Sequence, residues 1–187
     1  MTTKKDKPKE VEIIDKVFSY MEDYHPGEAR KALKEYNETE EAKIAQDDSQ
    51  YQRGFLAYFI LEKEVKGLTP MEHAYNLNLL VDYFNSEERR IIKNFLEHIN
   101  SFFEITKASI DKKDYHLKEL FTGKKYLVKT LDLTGKLEPG EIIKTIIVRK
   151  KGREYFFYGT IHKYGAEIKE SIQKIRMDME KKLFGIE

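Results

Sequence analysis

The sequence predicts an α+β protein. A helical N-terminal part comes first, then a small five-stranded antiparallel β-barrel of SH3 or OB type, then a C-terminal helix. Three observations predict it. Apolar residues recur at helical spacing through the first hundred residues. Near Phe102 the pattern changes to short runs of β-branched and aromatic residues with turn signals between them. After about residue 162 the helical spacing returns. The expected organisation is a disordered tail over 1–10, a helical domain over 11–101, a small barrel over 102–161 and a C-terminal helix over 162–187.

Each element has its own warrant. Ile14, Val17, Phe18 and Met21 share one helical face, and His25-Pro26-Gly27 stops that helix. Ala29, Leu33 and Tyr36 suggest a second helix, which the acidic stretch from Glu38 to Asp48 continues or follows as a loop. Tyr51 to Lys66 reads as a largely buried helix with Phe55, Leu56, Phe59 and Ile60 inward and Gly67 as its C-terminal cap. Thr69-Pro70-Met71-Glu72 reads as a capping box, with proline at the first helical position. Leu79, Leu80, Tyr83 and Phe84 carry that helix's apolar face. Asn85-Ser86-Glu87-Glu88 caps the next helix, which runs to about Asn100 with Ile91, Ile92, Phe95 and Leu96 inward.

Five β-like runs follow: FFEITKASI, YHLKELFT, KYLVKTLD, EIIKTIIV and REYFFYGTI. DKKD, GK, LTGKLEPG and RKKG separate them, as a meander closing into a small barrel requires. Leu117 and Leu120 cannot share a strand face without a bulge. In the final helix, Ile168, Ile172, Ile175, Met179 and Leu183 form a narrow apolar stripe. The stripe either docks on the chain's own helices or pairs with a second copy as a short coiled coil.

Composition bounds the function. Of 187 residues, 36 % are charged, and Lys, Glu and Ile are abundant, a mix that suggests a thermophile. With no cysteine there is no disulfide, thiol nucleophile or cysteine zinc site. The longest apolar run, Phe55 to Leu61, is far short of the roughly 20 residues a membrane span needs. MTTKKDKPKE has no apolar segment behind it, so no signal peptide is expected and the expected location is cytoplasmic. Charge is uneven along the chain. Residues 1–101 hold 15 Lys/Arg against 20 Asp/Glu, while residues 102–161 hold 13 against 8. That asymmetry suggests a charged partner, or units that merely solvate or attract one another.

Thr122-Gly123-Lys124 and Thr134-Gly135-Lys136 resemble phosphate loops at first sight. A Walker A loop needs a second glycine five residues earlier and Ser or Thr after the lysine. Lys118 and Thr130 stand where that glycine belongs, and Lys125 and Leu137 where the hydroxyl belongs. Both segments therefore read as turns. His25, His73, His98, His116 and His162 are scattered, and only Glu22-x-x-His25 has carboxylate–histidine spacing. No metal or other cofactor is expected. No serine stands in a nucleophile elbow, and no catalytic residues are assigned.

The strongest functional signal is a basic hairpin with aromatics. Arg149, Lys150, Lys151 and Arg153 surround one tip, and Tyr155, Phe156, Phe157 and Tyr158 follow. Small barrels bind single strands by stacking bases on aromatics beside basic grooves. Tyr155 and Tyr158 are the candidate stackers, although four consecutive aromatics must alternate between faces, so two of them belong in the core.

The segments Ser86 to Arg89, Phe102 to Thr106, Leu117 to Val128, Leu137 to Glu141 and Tyr155 to Ile161 carry a resemblance. Over Leu68 to Ile161, about half the chain, the sequence resembles a region of uncharacterised bacterial and archaeal proteins, some with a SEC-C zinc motif. The zinc motif itself is absent here, and the resemblance implies no activity. Two expectations stand: a non-enzymatic binding or adaptor module for another protein, or a single-stranded nucleic-acid binder using the basic barrel. Neither involves a membrane, and self-association through the last helix is left open.

Overall fold

The computed structural model describes residues 8–45, 47–80, 83–109, 113–129 and 137–184, with side chains described through 77 in the fifth helix and through 178 in the last one. The chain divides into two compact units, Met1–Glu97 and His98–Glu187.

The first unit is helical: α1 (Lys9–Tyr24), α2 (Glu28–Tyr36), α3 (Glu40–Lys43), α4 (Asp48–Leu61), α5 (Pro70–Leu80) and α6 (Ser86–Leu96). The starts of α5 and α6 lie where the sequence places them. Before α5, the Thr69 N–H donates to the Glu72 carboxylate at 2.7 Å, and the Thr69 hydroxyl accepts from the Glu72 N–H at 3.3 Å. Before α6, the Asn85 side chain accepts from the N–H groups of Glu87 and Glu88, both at 3.0 Å, and Glu88 reaches back to the Asn85 N–H. Val17, Met21, Phe59, Ile60, Met71, Ile92 and Phe95 form the buried interior.

Several boundaries differ from the sequence reading. The fifth strand runs to Tyr164 and the final helix begins at Glu167, not at 162, and the sixth helix ends at Leu96, not near Asn100. Helix α1 already includes Lys9 and Glu10, which the reading gave to a disordered tail. Helix α4 stops at Leu61, where the N–H groups of Glu62 and Lys63 both close on the Tyr58 carbonyl. Gly67 is therefore not its cap. With φ +82°, next to Lys66 at +53°, it makes the turn that pairs Val65 with Leu68. The acidic stretch holds both α3, capped by Thr39, and the start of α4, capped by Asp47. Strand structure begins at Ile99, ahead of the expected Phe102, because residues 99–101 pair with Ile147, Ile146 and Thr145 far along the chain. Leu79 and Leu80 lie outside the residues whose side chains are described.

The second unit is a five-stranded sheet followed by a helix. Its elements are β1 (Ile99–Ser109), β2 (Asp114–Glu119), β3 (Lys125–Lys129), β4 (Ile142–Lys151), β5 (Glu154–Tyr164) and α7 (Glu167–Phe184). The strand order is β1-β2-β3-β5-β4, with β4 returning to pair with β1, so the sheet closes on itself. The sheet is mixed, not antiparallel throughout: β3 and β5 run parallel through Leu127↔Glu154 and Val128↔Tyr155. The reason is parity, since strand directions cannot alternate all the way round a closed ring of five. One parallel seam is unavoidable.

Phe103, Ile105, Leu117, Val128, Ile143 and Ile147 fill the interior of the ring. The expected conflict in YHLKELFT does not arise, because β2 ends at Glu119 and Leu120 belongs to the turn. A register shift falls instead in β1, between Ile105 and Lys107. The stripe on α7 is not buried as a unit. Ile172 is 2 % exposed, Ile168 is half-buried and Ile175 is 50 % exposed, while Met179 and Leu183 lie outside the described side chains.

Candidate nucleic-acid interface

The turn between β2 and β3 settles the role of the first Thr-Gly-Lys. Glu119 closes β2 on its inward side and is 3 % exposed. Its carboxylate accepts from the Ser101 hydroxyl at 2.6 Å, from the Phe121 N–H at 3.0 Å, and from both the N–H (2.6 Å) and the hydroxyl of Thr122. Gly123, at φ +72°, returns its N–H to the Glu119 carbonyl. The loop does cradle an anion, but the anion is the chain's own carboxylate. Burial alone would raise the Glu119 carboxyl; the bonds from Ser101, Thr122 and Phe121 outweigh it and hold the group below its ordinary value. Thr134-Gly135-Lys136 lies outside the described residues.

The β4–β5 hairpin separates the candidate residues. Lys151 and Arg153 are exposed at the tip, around Gly152 at φ +59°. Arg149 is exposed with its guanidinium 6.0 Å from the Tyr155 ring centre, and Lys150 is half-buried. The aromatics are spent on packing. Tyr155 and Phe157 lie against the interior cluster, Tyr155 edge-on to Tyr126 at 5.1 Å and Phe157 to Tyr115 at 6.0 Å. Phe156 is buried on the other side of the strand. The Tyr158 hydroxyl is also buried, and burial pushes its phenol well above the ordinary value. Tyr155 and Tyr158 are each half-buried, the first with its ring packed toward the interior and the second with its hydroxyl buried.

A different basic surface emerges from the register. Inward Tyr115, Leu117 and Glu119 force His116 and Lys118 outward on β2; inward Tyr126 and Val128 do the same for Lys125, Leu127 and Lys129 on β3. Lys118 stands directly opposite Lys125. Lys107 stands opposite His116. The parallel seam sets Leu127, two residues after Lys125, against Glu154 at the start of β5, next to the hairpin tip that carries Lys151 and Arg153. The acids nearby are engaged: Glu104 holds Lys169 at 2.9 Å, and Glu154 holds Lys129 at 2.6 Å. Lys118 and Lys125 make no ion pair among the described residues. Like charges directly opposite on a sheet are destabilising, and such local conflicts concentrate at functional sites. Sequence inspection misses this pair, because it becomes visible only when β2 is registered against β3.

The histidines stay dispersed except for one pair. His25 and His73 lie with ring centres 4.8 Å apart at a tilt of 45°, and His73 Nε2 bonds the Val65 carbonyl at 2.7 Å. Among the described residues, no group of three or more His, Asp or Glu converges as a metal would need. Those residues also contain no helix long and apolar enough to cross a membrane. Comparisons with protein-family models, with curated proteins and with solved structures find no match.

Proposed function

We propose that the sheet unit is a non-enzymatic binding module that holds a single-stranded nucleic acid on the outer face of β1–β2–β3 and the β4–β5 tip. The Lys118–Lys125 pair carries this reading: the two lysines stand directly opposite across β2 and β3 with no ion pair among the described residues, and like charges so placed gain from a bound polyanion. The strand order supports it. β4 returns beside β1 after the β1–β2–β3 meander, which is a Greek key. We take the closed sheet as a small barrel of OB type, a class that binds oligonucleotides on its strand 2–3 face and flanking loops.

The test is equilibrium binding of single-stranded RNA to the whole protein across a salt series. Affinity should fall steeply with salt. Replacing Lys118, Lys125, Lys151 and Arg153 together by Ala should reduce the slope by about 3, at roughly 0.7 per phosphate contact. No binding at low salt overturns the reading and favours a protein partner for the same surface.

A further inference from the structure

The structure assigns a base-stacking platform to Phe102, Phe121 and Tyr164, a cluster distinct from the hairpin aromatics. This inference rests on the nucleic-acid reading above and names what that reading lacks, a set of rings that unpaired bases can meet. Phe102 points outward from β1, since Phe103 points inward. Its ring centre is 5.2 Å from Tyr164 and 6.4 Å from Phe121, both edge-on at interplanar angles of 66° and 63°. Edge-on contact leaves ring faces that the three residues do not cover for one another. Tyr164 is 37 % exposed, and Phe102 and Phe121 are half-buried.

Position argues for a ligand. Phe121 sits in a five-residue turn, where small and polar residues are the ordinary choice. Its backbone N–H is held by the Glu119 carboxylate, which fixes where the half-buried ring starts. Charge says which ligand. Glu104 pairs with Lys118 across β1 and β2, so Phe102 and Lys118 are diagonal neighbours, roughly 7–8 Å apart. Lys118 leads to Lys125 and then to the hairpin tip. Rings at one end and cations further along, with the Glu104 carboxylate between them held by Lys169, match the alternation of base and phosphate in a single strand. A duplex hides its base faces and can use only the cations.

The test compares unstructured oligouridylate with an RNA duplex of equal length, using the whole protein. Phe121→Ala and Tyr164→Ala should each weaken single-strand binding by roughly 5- to 150-fold, the range of one lost base stack. The salt slope should not change, because no phosphate contact is lost. The chain has no tryptophan, so Tyr164→Trp installs one reporter that should bind normally and be quenched by the strand. Unchanged affinity in both alanine variants, an unquenched indole, or equal affinity for duplex and single strand would each overturn the platform. If Lys118→Ala and Lys125→Ala still weaken binding in that case, the basic face stands without it. If the wild type binds no strand at low salt, both readings fall.

Discussion

Glu119 offers the sharpest test of how this sheet is built. Replacing it by Ala removes the acceptor for four donors on Ser101, Phe121 and Thr122. Hydrogen bonds to a charged group contribute about 1.5–3 kcal/mol each. Thr122 is exposed, so water can recover part of the turn's loss, but Ser101 is buried and cannot be rescued as readily. Counting Ser101 and one turn donor as lost outright gives a cost of roughly 3–6 kcal/mol for Glu119→Ala. Glu119→Gln keeps the volume and one acceptor oxygen, and should cost about half as much. The pH dependence separates charge from shape. Since the folded carboxyl titrates below its ordinary value, the unfolded chain takes up this proton first on acidification. The advantage of wild type over Glu119→Gln should therefore be full above about pH 5. It should shrink as pH falls through the unfolded value near 4.3 towards the lower folded one. Urea unfolding of both proteins across that range measures it, and amide exchange in β2 and β3 assigns the loss to this sheet. Equal midpoints at neutral pH, or an offset that does not change with pH, would refute the argument.

Two more expectations concern the helices. Ile172→Ala should cost about 2–5 kcal/mol, whereas Ile175→Ala, at a half-exposed site, should stay within about 0.5; light scattering should show the same mass for wild type and both variants. Equal losses with a halved mass would instead mean that the α7 stripe is buried between two copies. Burial first, then His73 and Lys66, lower the His25 pKa, with Glu28 opposing. A histidine held low in the folded state favours folding above the unfolded value near 6.5, and that contribution is lost as pH falls from there through the lower folded value. NMR should show His25 titrating below that value, and His73→Gln should move it upward; a midpoint unchanged by the substitution refutes the pairing.

How much of this was legible depended on the reach of each interaction. The caps at Thr69 and Asn85 were readable because each is followed three residues later by a glutamate that reaches back. Thr39 and Asp47 cap just as locally, but they stand in an acidic stretch that reads equally as helix or loop. The strand runs were readable because their composition is local, but their start was not. Ile99, Asn100 and Ser101 become strand only by pairing with residues more than forty positions later. The same limit applies to the candidate interface. Basic character around residue 150 shows in the sequence, yet alternation alone cannot say which of Tyr155 to Tyr158 faces the interior. Packing uses Tyr155, Phe156 and Phe157 and buries the Tyr158 hydroxyl. Lys118 opposite Lys125, and Phe102 beside Tyr164, are facts of register and closure, which only the folded sheet supplies. The parallel seam is the exception: it could have been inferred from the strand count once a closed ring was assumed.

Position 119 links these levels. Alternation along β2 turns it inward, where Leu or Val would be the cheap choice and an unpaired carboxylate would be expensive. The carboxylate can be kept there only if donors converge on it, so the turn must fold back until Phe121 and Thr122 present their N–H groups to it. A turn constrained in this way cannot slide, and the register that sets Lys118 against Lys125 begins at its base. The Phe121 ring projects from the same constrained backbone. An apolar residue at 119 could fill the space, but it would leave the turn's N–H groups without an internal acceptor and the ring without a fixed origin. The buried acid is therefore best understood as a positioning device: it spends solvation energy to fix where the outward cations and the aromatic ring stand.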